Sequence, residues 1–307
     1  MKYSVQTDNV RAVREALGSN CDRIRFGSEF CEWKIPSLKE MLEAGVHFGH
    51  QSSRWNPKMR SFIFGRRNRV HVIDLEKTQV ELEKALDFLQ KQVKQGKQVL
   101  FVGTKPQAKS IVKEAAIKCG MPYIVERWLG GTFTNFATIS KQTKELKKLE
   151  KDKETGEFAK YTKKEASILE DKIKRLENFL GGVKEMNQLP GAIFVVDVIK
   201  EKNAVKEAGR KEVPIVALAD TNADPDLINY PIPANDDAFK SVKLMVDTVA
   251  NAIAEVNTQL KKQPAEKVVK GEKTETKIMR EEKETKAVEK EDKEKMEEVM
   301  DDLEAGI

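Results

Sequence analysis

Apolar residues fall in short continuous runs separated by longer amphipathic stretches. Val70–Asp74, Gln98–Gly103, Pro122–Val125, Ala192–Val196 and Pro214–Ala219 read as strands. Their hydrophobicity is continuous rather than alternating, the pattern of strands buried on both faces. Between them, Leu75–Gln95 carries Leu75, Leu82, Leu86, Leu89 and Val93 at helical spacing, and Gln107–Cys119 reads as a helix ended by Gly120. Ala238–Leu260 closes the body as a long amphipathic helix. Such alternation of strand and helix implies an α/β fold, a parallel sheet covered by helices.

One insertion, at about 138–182, breaks the alternation. Thr138–Glu150 is helical, a polar linker with Gly156 follows, and Lys163–Leu180 is helical again. The second arm places Ala166, Leu169, Ile173, Leu176 and Leu180 on a narrow stripe, the seam of a coiled coil rather than a broad core face. The first arm offers Ile139, Leu146 and Leu149, with Thr143 weakening its seam. The pattern predicts an antiparallel helical hairpin projecting roughly 20–27 Å from the sheet, with Gly181 and Gly182 returning the chain.

The two ends differ from this body, taken as residues 35–260. Residues 1–34 hold a helix-like Val10–Leu17 and a strand-like Ile24–Trp33, too little for a core of their own. Residues 261–307 hold 12 Lys/Arg and 15 Asp/Glu with no aromatic residue, so disorder or a solvated helix is expected. The chain is 34% charged, with a net charge of +5. Without residues 261–307 the balance is 43 basic against 35 acidic, a net +8. No apolar run reaches the ~18 residues of a membrane span, and no secretory leader is recognisable. Three scattered cysteines (Cys21, Cys31, Cys119) fit a reducing cytoplasm rather than a disulfide framework.

The basic excess is concentrated. From Ala44 to Ile73 there is no acidic residue, yet the window holds Arg54, Lys58, Arg60, Arg66, Arg67 and Arg69. His47, His50 and His71 lie in it too, with Phe48, Trp55, Phe62 and Phe64 interleaved. Cations neutralise phosphates and aromatic rings stack on bases, so the window reads as an RNA contact. The competing reading is a basic solvated loop with aromatic anchors. His47 and His50 have a spacing that can serve a metal, but no cysteine or carboxylate is near in sequence, so loop hydrogen bonding or RNA stacking is preferred and no metal is expected.

Three other stretches are less specific. The turn Gly103–Lys105 follows a strand and opens a helix, where Lys105 holds an RNA phosphate or is simply solvated. It lacks the spacing of a Walker A loop. Asp220–Asp226 imitates the start of a calcium loop but has Pro225 and Pro231 where glycine and glutamate are needed, so it reads as turn structure. The loop Arg127–Asn135 (RWLGGTFTN) either offers Arg127 and Trp128 to RNA or packs its aromatics on the body. No nucleophile–base–orienter set can be assembled.

The motifs together are more specific. MLEAGVHFGHQSSRWNPKMRSFIFGRRNRVHVIDLEKT, VGTKPQAKSIVKEAA, RWLGGTFTNF, LPGAIFVVDVIKEKNAVKEA and VPIVALADTNADPDLINYPIPANDDA closely resemble, in order, the signatures of the second protein of the bacterial small ribosomal subunit. The resemblance covers about Ile35 to Val256. It implies a Rossmann-like, flavodoxin-like parallel sheet with an inserted coiled-coil hairpin, no catalytic activity and no cofactor. It further implies a ribosome-bound protein at the head–body junction, contacting 16S ribosomal RNA and neighbouring proteins, including the messenger-binding ribosomal protein S-one. Carried onto matching positions, the RNA contacts are His47, His50, Arg54, Trp55, Lys58, Arg60, Arg66, Arg67, Asn68, Arg69, Lys105, Arg127 and Trp128. The N-terminal extension and charged tail depart from the family pattern. The competing hypothesis is a nucleotide- or phosphometabolite-binding α/β enzyme using Gly103–Lys105 and Asp220.

Overall fold

A computed structural model describes residues 35–259. The expectations for residues 1–34 and for 261–307 lie outside them. Two sheets organise this part.

The larger sheet is parallel and five-stranded. Its strands are β4 (Val99–Val102), β5 (Tyr123–Ile124), β6 (Ala192–Val196), β7 (Ile215–Ala219) and β8 (Tyr230–Pro233), in spatial order β5-β4-β6-β7-β8. Numbered within the sheet, that is the 2-1-3-4-5 order of flavodoxin-like folds. Every residue of β4, β6 and β7 is buried, as their continuous apolar runs require. Leu100, Val102, Ile193, Val195, Ile215 and Ala217 belong to the cluster on one face. The intervening residues face the other way, where Phe101 meets Phe194 edge to face at 5.4 Å.

Helices cover both faces. These are α2 (Leu75–Lys94), α3 (Pro106–Cys119), α6 (Lys202–Arg210) and α7 (residues 239–259), preceded in the chain by the short α1 (Leu38–Ala44). Gln90 on α2 donates to the Ala252 carbonyl of α7 at 3.2 Å, and Asn257 on α7 donates to the Cys119 carbonyl at the end of α3 at 2.7 Å. These three helices therefore pack side by side.

Two expectations need correction. Val70–Asp74 is not in the parallel sheet. Its strand, β3 (Val70–Ile73), is the centre of a three-stranded antiparallel sheet between β1 (Phe48–Gln51) and β2 (Ile63–Arg67). The flanking strands lie in the acid-free window read as loop, because glycines, arginines and register shifts blur their alternation. The fifth parallel strand is β8, which contains Pro231 and Pro233. Proline normally argues against a strand, but β8 is an edge and pairs only with β7. Its prolines occupy alternate positions on the open side, where the Pro233 carbonyl accepts from Thr78 Oγ1 of α2 at 2.6 Å.

The insertion forms two helices, α4 (Phe136–Glu154) and α5 (Lys163–Leu180). Thr162 and Glu165 form a reciprocal capping box at the start of α5. Glu145 of α4 pairs with Lys172 of α5, and Lys153 with Glu170 at 3.4 Å, an antiparallel sense. Ile139, Thr143 and Leu146 are buried on α4, as are Ile173 and Leu180 on α5.

Candidate nucleic-acid interface

The basic window folds as the three-stranded sheet and its connections. β2 and β3 are joined by a two-residue turn in which Asn68 (φ 50°) and Arg69 (φ 64°) both adopt left-handed backbone, the type I′ geometry of a tight hairpin. Asparagine tolerates this conformation; arginine does so rarely, so the turn holds Arg69 at its tip against a local preference. The Arg69 carbonyl accepts from the Ser52 amide at 2.8 Å, which ties the tip to the end of β1.

Around that hairpin, Arg54, Arg60, Arg66, Arg67, Asn68 and Arg69 are exposed. Among the described residues none of the five arginines has a carboxylate within ion-pair distance. Phe64, next to them on β2, is 80% exposed. Trp55 is half-buried and stacks against His71 at 5.0 Å. Burial, reinforced by Arg66, lowers the His71 pKa, and burial also lowers that of His47, so both rings stay neutral near pH 7. The cationic character here comes from arginine, whose charge is independent of pH.

Lys58 and His50 behave differently. Lys58 is surface-exposed but is held by Asp224 at 2.9 Å and Asp226 at 2.7 Å, hydrogen bonds that raise its pKa. Asp224 itself caps the turn Pro225–Leu227, as expected of an Asx turn. His50 Nδ1 lies 3.0 Å from Asp220 Oδ2, and its Nε2 lies 3.5 Å from Asp237. The neighbouring acids raise its pKa against the effect of burial, the contact with Asp220 contributing most.

Thr221 joins the two sheets. Its Oγ1 accepts from the His50 amide at 2.9 Å, and its carbonyl accepts from the Asn56 amide at 2.7 Å. Gly49 makes the approach possible, because a Cβ there would sit 2.6 Å from the Thr221 methyl.

Lys105 occupies the position after β4 at the order switch of the parallel sheet, where such folds commonly bind ligands. It does not present a free charge. Its side chain is 12% exposed and is met by Asp237 at 2.5 Å, Asp236 at 2.9 Å and Asp197 at 3.2 Å. Burial opposes its charge, but these acids outweigh it and raise the pKa. The charge of Lys105 is thus matched inside the protein, where the sequence suggested a phosphate contact or a solvated side chain. The same acids disfavour a phosphate ligand, which removes the physical basis of the nucleotide-enzyme alternative at Gly103–Lys105 and Asp220.

Trp128 is likewise engaged inside the protein, as the packing alternative for its loop expects. It is buried, stacks edge to face on Phe133 at 5.1 Å, and donates its indole N–H to Glu207 at 3.1 Å. Glu207, on α6, also accepts from the amides of Gly131, Phe133 and Thr134 and from the Thr134 hydroxyl. Burial alone would raise the pKa of this carboxyl, but the donors outweigh it and hold the value below the ordinary range. The glycine-rich loop is thus folded around one carboxylate, and Arg127 is its exposed basic residue. Nothing near Glu207 in sequence signals that role. The pair Asp236–Asp237 was also unread, although two adjacent acids after an apolar strand were a visible clue.

No helix among the described residues is long and apolar enough to cross a membrane. Residues 41–256 match the protein-family profile described as ribosomal protein S2. The small ribosomal subunit protein uS2 of a Nitratiruptor species is 50% identical over 230 residues, which cover 75% of this chain and 86% of that protein. The ordered motifs, the fold and these matches agree: the chain belongs to the ribosomal protein S2 family, a family of structural ribosomal proteins and not of enzymes.

Proposed function

We propose that this protein is a cytoplasmic, ribosome-bound constituent of the small subunit that holds 16S ribosomal RNA through the arginines of its three-stranded sheet. The observation carrying this reading is five exposed arginines without a carboxylate partner among the described residues, beside an exposed phenylalanine and a strained turn that fixes Arg69. Their guanidinium groups neutralise phosphates, while Phe64 and the exposed part of Trp55 stack on unpaired bases. Arg127 adds a cation from the loop set by Glu207.

The α4–α5 pair serves as a projecting coiled-coil hairpin that reaches a second RNA or protein element, and its Lys- and Glu-rich surface suits that role. The site of assembly is the head–body junction, where the protein helps to dock the messenger-binding protein S-one. These assignments rest on family membership and on the free surface of the helical pair.

Each phosphate contact contributes about 0.7–0.9 to the slope of log affinity against log salt, so five predict roughly a 100- to 500-fold loss between about 50 and 200 mM salt. Sedimentation with small subunits depleted of this protein tests the reading. The protein is expected to pellet with subunits at low salt and to be released at high salt. A protein that stays free at low salt contradicts it.

A further inference from the structure

Contacts of two kinds join the three-stranded sheet to the parallel one. The first are neutral. Asn235, after β8, donates its amide to the Val46 carbonyl at 3.1 Å and its side-chain amide to the Gly45 carbonyl at 3.3 Å, beside the Thr221 bonds to His50 and Asn56. The second are charged: Lys58 with Asp224 and Asp226, and His50 with Asp220 and Asp237. Lys58 keeps its charge throughout the neutral range, because its partners raise its pKa above 10.5. Of these two cations, only His50 can change its charge near neutral pH.

The surroundings of His50 select its charged form. Nδ1 lies 3.0 Å from Asp220, at the end of β7, and Nε2 lies 3.5 Å from Asp237, after β8. A neutral imidazole has one N–H and one lone pair, so it would turn a lone pair toward one of the two carboxylates. Only the imidazolium offers an N–H on both sides. The Asp220 side chain is 1% exposed, so salt screens this attraction little. Asp236 is the third acid near the ring; burial and the like charges of Asp197 and Asp220 push its pKa up to about 7, against Lys105. Lys105, the other cation of the cluster, is enclosed by Asp197, Asp236 and Asp237. Burial instead lowers the pKa of His47 and of His71, which keep neutral rings.

We propose that His50 is a positioning residue: as an imidazolium it clamps β1 between Asp220 and Asp237 and so holds the arginine sheet on the body, and it gives up part of that hold when it loses its proton. β1 carries the rest of the sheet, since β3 pairs with it and β2 with β3. Two residues beyond His50, Ser52 donates to the Arg69 carbonyl at 2.8 Å, so the clamp reaches the tip of the basic turn. His50 thus acts through the protein's own acids rather than by stacking on RNA. Its value to RNA binding rests on the reading of the arginines given above; the hold itself does not. The raised folded pKa sets the sign: the contribution is complete below the unfolded value of 6.5 and is lost as pH rises through the folded value. Asp236 acts in the same direction, because its carboxyl ionises at a cost as pH rises.

Amide hydrogen exchange of the full-length protein, corrected for intrinsic base catalysis and read from about pH 6 to 8.5, tests the clamp. The opening equilibrium of β1–β3 is expected to rise with pH, by up to about tenfold for each unit by which the folded pKa exceeds 6.5, while the parallel strands change less. In His50→Gln the profile should flatten at the level the unaltered protein reaches at high pH. A side chain that only fills space would change protection equally at every pH, and that result overturns the proposal. So does a profile that His50→Gln leaves unchanged, which would belong to Asp236. Histidine NMR titration of the unaltered protein does not depend on the variant's folding: of the three histidines, one should titrate above 6.5 and two below it. Three values at or below 6.5 overturn the clamp. RNA enters neither measurement, so failure of the clamp and failure of the RNA reading are told apart.

Discussion

The three-stranded sheet and the carboxyl end of the parallel sheet both carry dense charge, and they treat it in opposite ways. On the small sheet, Arg54, Arg60, Arg66, Arg67 and Arg69 are exposed and have no carboxylate partner among the described residues. At the end of the large sheet, Lys105 is nearly buried and meets three carboxylates. In sequence, Lys105 and Arg66 look alike: each is a basic residue within two positions of a glycine, Gly103 just after β4 and Gly65 in β2. Position relative to the acids separates them. A free cation on a surface is available to a phosphate, whereas a cation enclosed by acids stabilises the fold and has little left to offer a ligand.

Removing Lys105 should have the largest effect. Lys105→Ala leaves Asp197, Asp236 and Asp237 without their shared cation, a loss of about 3–5 kcal/mol of stability, as for breaking a buried pair. Chemical denaturation measures it. RNA affinity, measured where the variant is folded, should keep its salt dependence. A stable variant with a shallower salt slope would dissolve the contrast, because Lys105 would then be a phosphate contact.

Glu207 comes next. It sits under the RWLGGTF loop and receives donors from Trp128, Gly131, Phe133 and Thr134. Glu207→Ala should cost about 2–4 kcal/mol, since several buried N–H groups lose a charged acceptor together. The pH dependence has a definite sign. The carboxyl is held below its ordinary value of 4.5 in the folded protein, so its contribution is complete above that pH and is lost as acidification passes through the lower folded pKa. Thermal midpoints of the unaltered protein should therefore fall more steeply below about pH 4.5 than those of Glu207→Gln. Parallel curves would show that Glu207 is not the organiser of this loop.

Much of this molecule was legible in its sequence, and the misses have physical causes. Continuous apolar runs identified β4, β5, β6 and β7, since strands buried on both faces need no polar alternation. β8 was hidden by Pro231 and Pro233, which only an edge tolerates. α1 went unread despite its Ser37–Glu40 capping box. The acid-free window drew attention to Arg54–Arg69, because local composition is a sequence property. It did not show that Lys58 is held by Asp224 and Asp226, that His50 faces Asp220, or that Trp128 serves Glu207. Those partners lie about 80 to 170 residues away and are brought together only by the order of the parallel strands.

The smallest expected effect on folding is also the most direct test of the contrast. Arg66, Arg67 and Arg69 should be changed together to alanine, and affinity for 16S ribosomal RNA measured across a salt series. Stability should change by no more than about 0.5 kcal/mol per site, as for exposed residues. The slope of log affinity against log salt should become shallower by about 2–3, the share of three phosphate contacts. An unchanged slope and affinity in the folded triple variant would contradict the assignment of this sheet as the RNA-binding surface.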